Sequence, residues 1–318
     1  MINLLKSYLP IFQWAPKYKK DTLINDLIVG VVVTMMLIPQ SLAYAQLAGL
    51  PPEVGLYASI APLILYAIFG TSRVLAVGPV AIASLMTAAA AGQIASQGTP
   101  EYLGAAIALA VISGLMLIVM GILKLGFLAN FLSHPVVAGF ITASGVQIAA
   151  GQLSPVLGIH SEGETLLDIV ISLGQNIAHI NISTALIGLG SLIFLFLIKI
   201  QLKKMLISFG INAKISDIAA KAGPVVALIL TTVIVWGFGL SDSGVKIVGE
   251  IPKGLPSVSI PQVDTALWIN LLVPALLISI VGYVESISVA LTFAAKRRQR
   301  VDPDQELIAL GASNIGAG

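Results

Sequence analysis

The chain has 318 residues, of which 57% are hydrophobic and 10% charged, with a net charge of +2 and a mean hydropathy of +0.98. This composition excludes an ordinary soluble domain and indicates a protein that crosses a membrane several times. The sequence contains no cysteine, which excludes disulfides, thiolate metal sites and thiol catalysis.

The apolar runs of the sequence predict about eight membrane-spanning helices, because a helix needs roughly 20 apolar residues to cross the hydrocarbon core. Some runs have nearly this length, whereas others are shorter or interrupted. In chain order the runs are Leu23–Leu37, Val54–Phe69, Val74–Ala91, Tyr102–Leu123, His134–Gly151, Ile182–Ile198, Gly223–Gly239 and Ala266–Phe293.

The distribution of positive charge predicts a cytoplasmic N-terminus. When the apolar runs are threaded through a membrane, fifteen of the 17 Lys and Arg residues fall on the side of the N-terminus. Only Lys246 and Lys253 fall on the opposite side, and positive charge accumulates on the cytoplasmic side of membrane proteins. Glu306 is counted on the cytoplasmic side, whereas Glu285 lies inside an apolar run and belongs to neither side.

The stretch PQSLAYAQLAGLPP, residues 39–52, puts a proline and several polar side chains where the first span is expected to continue. Proline removes a helical hydrogen bond and bends a helix. We expect Pro39 to loosen this helix so that Gln40 and Tyr44 face a cavity.

The stretch GTSRVLAVGPVAIASL, residues 70–85, predicts a short extended piece followed by a half-helix that begins near the middle of the bilayer. Gly78 and Pro79 interrupt the backbone, and Pro79 suits the first turn of a helix. The unpaired amides and positive dipole end of such a helix attract an anion. An ordinary proline kink in a short span is the alternative.

Glu285 lies deep in the apolar run SIVGYVESISVALTF. A charged carboxylate at this depth costs about 2.5 to 3.5 kcal/mol on insertion scales, so such residues face the bundle interior or a water path. Burial favours the neutral carboxyl group, which makes Glu285 a candidate proton carrier. The alternatives are a structural hydrogen bond and a sodium ligand.

A weak internal repeat links the first span to the run around Glu285. Setting Leu37–Ala45 over Gly282–Ala290, at an offset of 245 residues, pairs Gln40 with Glu285. Many membrane transporters consist of two inverted repeats, with the binding site where broken helices of both halves meet. The offset places the counterpart of Gly78–Pro79 beyond the last residue of the chain.

Two further features carry structural rather than chemical predictions. His134, His160 and His179 lack the spacing of metal ligands, so we predict no metal site. The segment GASNIGAG, residues 311–318, lacks the order of a nucleotide-binding loop. Its small residues predict close packing between helices.

Several motifs in the same order resemble the signatures of the sulfate permease (SulP) family of anion transporters. The resemblance covers nearly the whole chain. The strings that carry it are PQSLAYAQLAGLPPEVGLYASIAPLILYAIFGTSR, GPVAIASL, HPVVAGFITASGVQI, GEIPKGLPS and VESISVALTFAAKRRQRVDPDQELIALGASNIGAG.

The resemblance implies an all-α, uracil-permease-like fold of fourteen spans in two inverted seven-span repeats. Residues 1–22 would be a cytoplasmic interface segment, 23–240 the first repeat, 241–264 an outer connector and 265–318 the start of the second repeat. The rest of that repeat and the STAS domain that usually follows would be absent. We therefore expect the 318-residue chain alone not to accumulate labelled anions.

The resemblance also implies positions for the binding site, between half-helices of the third and tenth spans. The matching substrate-binding residues are Gly78, Pro79, Val80 and Ala81 of the third span with Gln40 and Tyr44 of the first. Glu285, with Ser286 and Ser288, occupies the position associated with the coupling ion, H⁺ or Na⁺. His134 matches a motif for which a structural role is expected.

The implied function is secondary active transport of a small anion by alternating access. Sulfate is the first candidate substrate, followed by bicarbonate and C4-dicarboxylates, with proton coupling and no other cofactor. The full-length parent is expected to form a homodimer in the cell (inner) membrane, without a nucleic-acid partner. The alternatives are a nucleobase-type symporter on the same fold, a channel-like anion conductor, and an inactive fragment or scaffold. No nucleophile and base set is present, so we do not expect an enzyme.

Overall fold

The computed structural model describes residues 8–131, 134–159, 166–213, 216, 219–220, 222–247, 254 and 265–318. The described residues are helices joined by turns and short irregular segments, with no strand among them. The prediction of an all-α chain is confirmed. Most of the predicted outer connector, residues 241–264, lies outside the described residues.

The longer helices follow the predicted apolar runs. We number the α-helices in chain order as α1 Ile11–Trp14, α2 Lys20–Leu47, α3 Pro52–Tyr57, α4 Ala61–Phe69, α5 Ala81–Gly92, α6 Pro100–Ile122, α7 His134–Leu157, α8 Leu166–Asn176, α9 Ile182–Leu197, α10 Lys203–Ser208, α11 Gly223–Gly237, α12 Thr265–Arg297 and α13 Pro303–Ala317.

Five helical stretches in the described part of the chain are long and apolar enough to cross a membrane. They are Lys20–Leu47, Pro52–Phe69, Pro100–Ile122, Ile182–Ser208 and Leu267–Arg297. Shorter apolar helices are Ala81–Gly92, Ile148–Leu157 and Gly223–Gly237. The last lies within the predicted run Gly223–Gly239, whereas the other two only partly overlap the runs Val74–Ala91 and His134–Gly151. A short π-helical segment, Ile198–Leu202, connects α9 to α10.

The first long helix is not interrupted at its proline. α2 continues through Pro39 to Leu47, and proline is tolerated within membrane helices in general. The interruption comes after Leu47, where Gly49 has a φ of +71°. A side chain at Gly49 would also overlap the Tyr102 hydroxyl group, so this turn requires glycine.

The chain divides into two compact units. One contains Met1–Thr22, Gln40–Phe140 and Pro252–Gly318, and the other contains Leu23–Pro39 and Ile141–Ile251. In the second unit α9 packs against α11. A side chain at Gly188 of α9 would lie 2.7 Å from the Val156 carbonyl oxygen of α7, so these two helices also approach closely.

The first unit has two apolar clusters. One joins α5, α6 and α12 through residues that include Ala91, Leu109 and Leu271. The other joins α4, α6, α12 and α13 and also contacts Leu75 and Val77, which precede α5. The second cluster therefore connects the extended piece before α5 to the rest of the unit.

α13 packs against α6 and α4 more extensively than against any other element. A Cβ atom at Gly311 would lie 2.5 Å from the Gly114 carbonyl oxygen, and a Cβ atom at Gly114 would lie 2.6 Å from the Gly311 carbonyl oxygen. The two backbones meet where neither residue has a side chain. The predicted close packing through small residues of the segment 311–318 is confirmed.

Candidate functional site

The segment between α4 and α5 has the predicted form, an extended piece followed by a half-helix. Residues 75–80 are neither helical nor turn, and α5 begins at Ala81 after Val80, whose φ of −128° and ψ of 145° are extended. The prediction that Pro79 lies in the first turn is wrong, because the helix begins two residues later. Proline here favours the extended conformation before the helix rather than its first turn.

The N-terminus of α5 has no side-chain cap. The first helical hydrogen bond runs from the Ser84 amide to the Val80 carbonyl oxygen, over 3.0 Å. The amides of Ala81, Ile82 and Ala83 have no earlier helical carbonyl to bind. They form a set of donors at the positive end of the helix dipole, which is an arrangement that binds anions.

Gln40 and Tyr44 lie one turn apart on α2. Gln40 Nε2 donates to the Tyr44 hydroxyl oxygen over 3.1 Å, and Gln40 is exposed whereas Tyr44 is partly buried. In this bond Tyr44 is the acceptor, so its own proton stays available to a ligand. Both residues belong to the unit that contains α5, but no hydrogen bond joins them to residues 78–81 among the described residues.

The next residue, Ser41, fixes this part of α2 against α3. Ser59 Oγ donates to the Gly55 carbonyl oxygen over 2.7 Å, and Ser59 and Ser41 hydroxyl oxygens lie 2.7 Å apart. Because a serine has a single hydroxyl proton, Ser41 is the donor in that second bond. Gly55 lies directly against the Ser41 backbone, so the turn of α2 that presents Gln40 and Tyr44 has a defined position.

Glu285 lies within the membrane-length part of α12. Its Oε2 is buried and has no hydrogen-bond partner among the described residues. Ser288 Oγ donates to the Val284 carbonyl oxygen of the same helix over 2.6 Å. Ser286 is partly buried and, like Ser288, makes no hydrogen bond to Glu285 in the described part of the chain. The predicted group of three therefore contains one unpartnered carboxyl oxygen and no internal hydrogen bond.

The second apolar cluster brings the Glu285 region of α12 next to the segment before α5. Val284 and Ile287, on either side of Glu285 along the helix, belong to the same cluster as Leu75 and Val77. α12 and α5 also contact each other directly. The structure thus assembles the half-helix and the membrane carboxylate, which are about 200 residues apart in sequence, in one unit.

Glu306, which the distribution of charge places on the cytoplasmic side, is buried and hydrogen-bonded, and that distribution did not indicate this. The side chain is 1% exposed and its carboxylate accepts bonds from Tyr66, Thr71 and Ser72. The helix-start signature Asp302-Pro303 followed by apolar Leu307 could have indicated it, because that spacing puts Glu306 near a buried face.

No group of three or more His, Asp and Glu residues that could hold a metal ion occurs in the described part of the chain. His160 lies outside the described residues, and the side chain of His134 is likewise not described. The structural role expected of His134 stays a prediction.

A model of the sulfate permease family matches residues 23–318. Similar proteins include a probable sulfate transporter of Mycobacterium tuberculosis, 35% identical over 96% of this chain and 53% of that protein. Prestin of Danio rerio is 38% identical over 98% of this chain and 44% of its own length. The chain thus spans about half of the length of the curated relatives that it matches.

The fold also matches solved membrane proteins. The murine solute carrier 26 family member A9 anion transporter, in its inward-facing state, matches with a TM-score of 0.84 and 27% identity over 100% of this chain and 54% of that one. The transmembrane domain of a cyanobacterium bicarbonate transporter matches with a TM-score of 0.76 over 94% of this chain and 73% of that one. At 22% identity this second likeness concerns the fold alone.

Proposed function

The chain belongs to the sulfate permease family, whose members are transporters rather than enzymes, and we propose that the protein of which it forms part carries a small anion across a membrane. Sulfate is the first candidate, and bicarbonate and C4-dicarboxylates follow. One observation carries the proposal. In the first unit, α5 begins after an extended segment, and no side chain caps its first amides.

The proposed anion site consists of the first turn of α5 and the pair on α2. The amides of Ala81, Ile82 and Ala83 donate to the anion. Gly78 and Pro79 keep the backbone before Val80 extended. Gln40 and Tyr44 supply further donors from α2. This donor set matches any compact oxyanion, so the choice among sulfate, bicarbonate and dicarboxylate depends on the size of the cavity.

Glu285 is the proposed coupling residue. Its buried Oε2 has no partner in the described part of the chain, so the charged form is costly in a membrane interior. Binding a proton, or a sodium ion held with Ser286 and Ser288, removes that cost. The carboxyl group can then take up its ion on one side of the membrane and release it on the other as the protein alternates between the two accessible states.

We also propose the membrane, the orientation and the oligomeric state of the transporter. The protein lies in the cell inner membrane with its N-terminus in the cytoplasm, as the positive charges favour. The full-length protein is a homodimer, and its partners are the bilayer and the transported anion.

The test is uptake of labelled sulfate, bicarbonate and succinate into proteoliposomes that contain the full-length protein. Each anion is measured with a pH gradient, with a sodium gradient and with neither. We expect the Glu285→Gln variant to lose at least about tenfold of the gradient-driven uptake, equivalent to about 1.4 kcal/mol, because a neutral amide cannot bind and release the coupling ion.

The matched control is Glu101→Gln, the same substitution at an exposed carboxylate in the first turn of α6, which should leave uptake unchanged. Undiminished gradient-driven uptake by Glu285→Gln would refute the coupling role. Uracil is included as a competitor, and competition by this neutral ring without uptake of any anion would favour a nucleobase symporter. Anion uptake independent of both gradients would indicate a channel-like conductor.

A further inference from the structure

We infer that Glu306 is a positioning residue for the anion site, because its carboxylate anchors the start of the extended segment that ends at α5. The inference rests on the proposed function, since it concerns the same site. Glu306 does not contact the proposed anion. It acts through the backbone of residues 71 and 72.

The anchor consists of four hydrogen bonds to one buried carboxylate. Glu306 Oε1 accepts from the Thr71 amide over 2.7 Å, from Thr71 Oγ1 over 2.6 Å and from the Ser72 amide over 3.1 Å. Glu306 Oε2 accepts from the Tyr66 hydroxyl group over 2.5 Å. Two of the donors are consecutive main-chain amides, so the carboxylate fixes the path of the chain and not only two side chains.

An apolar residue could not replace this carboxylate without leaving the two amides unpaired. Burying a carboxylate is unfavourable unless hydrogen bonds satisfy it. Here its oxygens accept bonds from α4 and from the segment immediately after α4. The buried carboxylate keeps three of its four hydrogen bonds only while residues 71 and 72 keep their positions, which makes the contact specific for one backbone path.

The helix that carries Glu306 is itself firmly held. Its first turn is capped by Asp302, which accepts from the amides of Asp304 and Gln305. Gln305 Nε2 donates to the Phe69 carbonyl oxygen at the end of α4 over 2.8 Å, and Gly311 contacts the α6 backbone. The position of Glu306 is therefore set by α4 and α6.

The anchor acts on the binding site because no helix lies between them. The segment from Thr71 to Val80 contains no helical residue, so no helical hydrogen bond fixes it from within. Its course depends on the anchor at its start, on the bonds from the Val74 and Leu75 amides to Ser72 Oγ and on the packing of Leu75 and Val77 in the second apolar cluster. Releasing the anchor would let the first amides of α5 leave the arrangement that binds the anion.

The first measurement is hydrogen–deuterium exchange of the peptide covering residues 70–74 in the full-length protein. The amides of Thr71 and Ser72 report directly on their bonds to Glu306. In Glu306→Ala their exchange should become at least about tenfold faster, given the strength of hydrogen bonds to charged groups. Glu306→Gln keeps an acceptor oxygen and should preserve most of the protection.

The second measurement is the concentration dependence of anion uptake by the same variants. A positioning role predicts that Glu306→Ala raises the KM by about tenfold with a smaller change in Vmax, and that Glu306→Gln restores much of the affinity. A merely structural role would lower the amount of active protein, and hence Vmax, at an unchanged KM. Tyr66→Phe and Thr71→Val each remove one donor and supply the test if Glu306→Ala does not fold.

Ser313→Ala is the matched control. Ser313 is also buried on α13, where its hydroxyl oxygen lies 2.8 Å from the Ala309 carbonyl oxygen and 3.2 Å from the Pro62 carbonyl oxygen of α4, and no hydrogen bond joins it to residues 71 and 72 among the described residues. It should change neither the exchange of peptide 70–74 nor the KM. Unchanged exchange in Glu306→Ala, or in Tyr66→Phe and Thr71→Val, would overturn the anchor, and faster exchange with an unchanged KM would overturn the positioning role.

The two proposals can fail separately. If the wild type neither takes up an anion nor protects peptide 78–86 when sulfate is added, the proposed function fails and the positioning role fails with it. The exchange of peptide 70–74 still decides whether the anchor exists. If the wild type takes up an anion and the anchor variants behave as wild type, only the further inference is refuted.

Discussion

At the scale of single residues, Val80 leaves the start of α5 without the side-chain cap that α6, α9 and α13 have. Thr99 and Asn181 cap α6 and α9 by accepting an amide of the first turn, and Asp302 does the same for α13. An aliphatic side chain cannot accept such a bond, and valine is among the least favourable N-cap residues. At the proposed anion site, therefore, no side chain of the N-cap residue accepts from the first amides of α5.

The first prediction concerns this cap. In Val80→Asp the new carboxylate would accept the first-turn amides, while it occupies the site with negative charge. We expect anion uptake, measured relative to the amount of folded full-length protein, to fall at least about tenfold.

Thr99→Asp is the matched control for that prediction. It puts the same carboxylate at the N-cap of α6, where Thr99 already accepts from the Tyr102 amide, and should leave uptake unchanged. Normal uptake by Val80→Asp would show that the anion does not bind at this helix start.

At the scale of elements, α6 and α13 are joined by contact between their backbones. Gly114 and Gly311 oppose each other so closely that a Cβ atom on either would overlap the other's carbonyl oxygen. Without hydrophobic force between helices in lipid, association depends on such close packing. This contact also holds the helix that carries Glu306.

A pair of glycines on the same helix tests this packing. Gly114→Ala should lower the free energy of unfolding by about 1 to 3 kcal/mol, because an added methyl group in a filled space forces the backbones apart. Gly104→Ala, where no atom lies within 4 Å of the new Cβ, should be neutral or stabilising by up to about 1 kcal/mol, since alanine favours the helix. Thermal unfolding of both variants in detergent measures the difference, and equal stability would contradict the packing argument.

At the scale of the whole molecule, the division into two units separates the proposed site from much of the chain. Gln40, Tyr44, Gly78 to Ala81 and Glu285 all belong to the first unit. α2 contributes Leu23–Pro39 to the second unit, whereas its residues from Gln40 onward belong to the first. None of the candidate site residues belongs to the unit that contains α8 to α11.

This separation predicts different kinetic effects for substitutions in the two units. Gly188→Ala would push α9 away from Val156 within the second unit, and we expect it to lower Vmax about two- to tenfold at an unchanged KM, because no proposed anion ligand moves. Gly190→Ala, on the same helix with no atom within 4 Å of the new Cβ, should behave as wild type. A raised KM in Gly188→Ala would argue against a binding site confined to the first unit.

The sequence by itself determined the membrane class, the order of the apolar helices and the half-helix after Gly78-Pro79. These properties depend on local composition: an apolar run needs a helix to satisfy its backbone in lipid, and proline lacks an amide donor and favours an extended conformation in the residue before it. The motif order likewise identified the family from residues that are adjacent along the chain.

Only the tertiary structure decided whether Pro39 interrupts its helix and whether Glu306 is exposed or buried. The helix is continuous through Pro39, and the buried anchor at Glu306 depends on neighbours that are remote in sequence, since Glu306 lies 240 residues from Tyr66. Local patterns carry no information about such partners, because the free-energy cost of burying a charged side chain depends on the groups that surround it in the fold. The buried, unpartnered Oε2 of Glu285 is a property of the folded chain for the same reason.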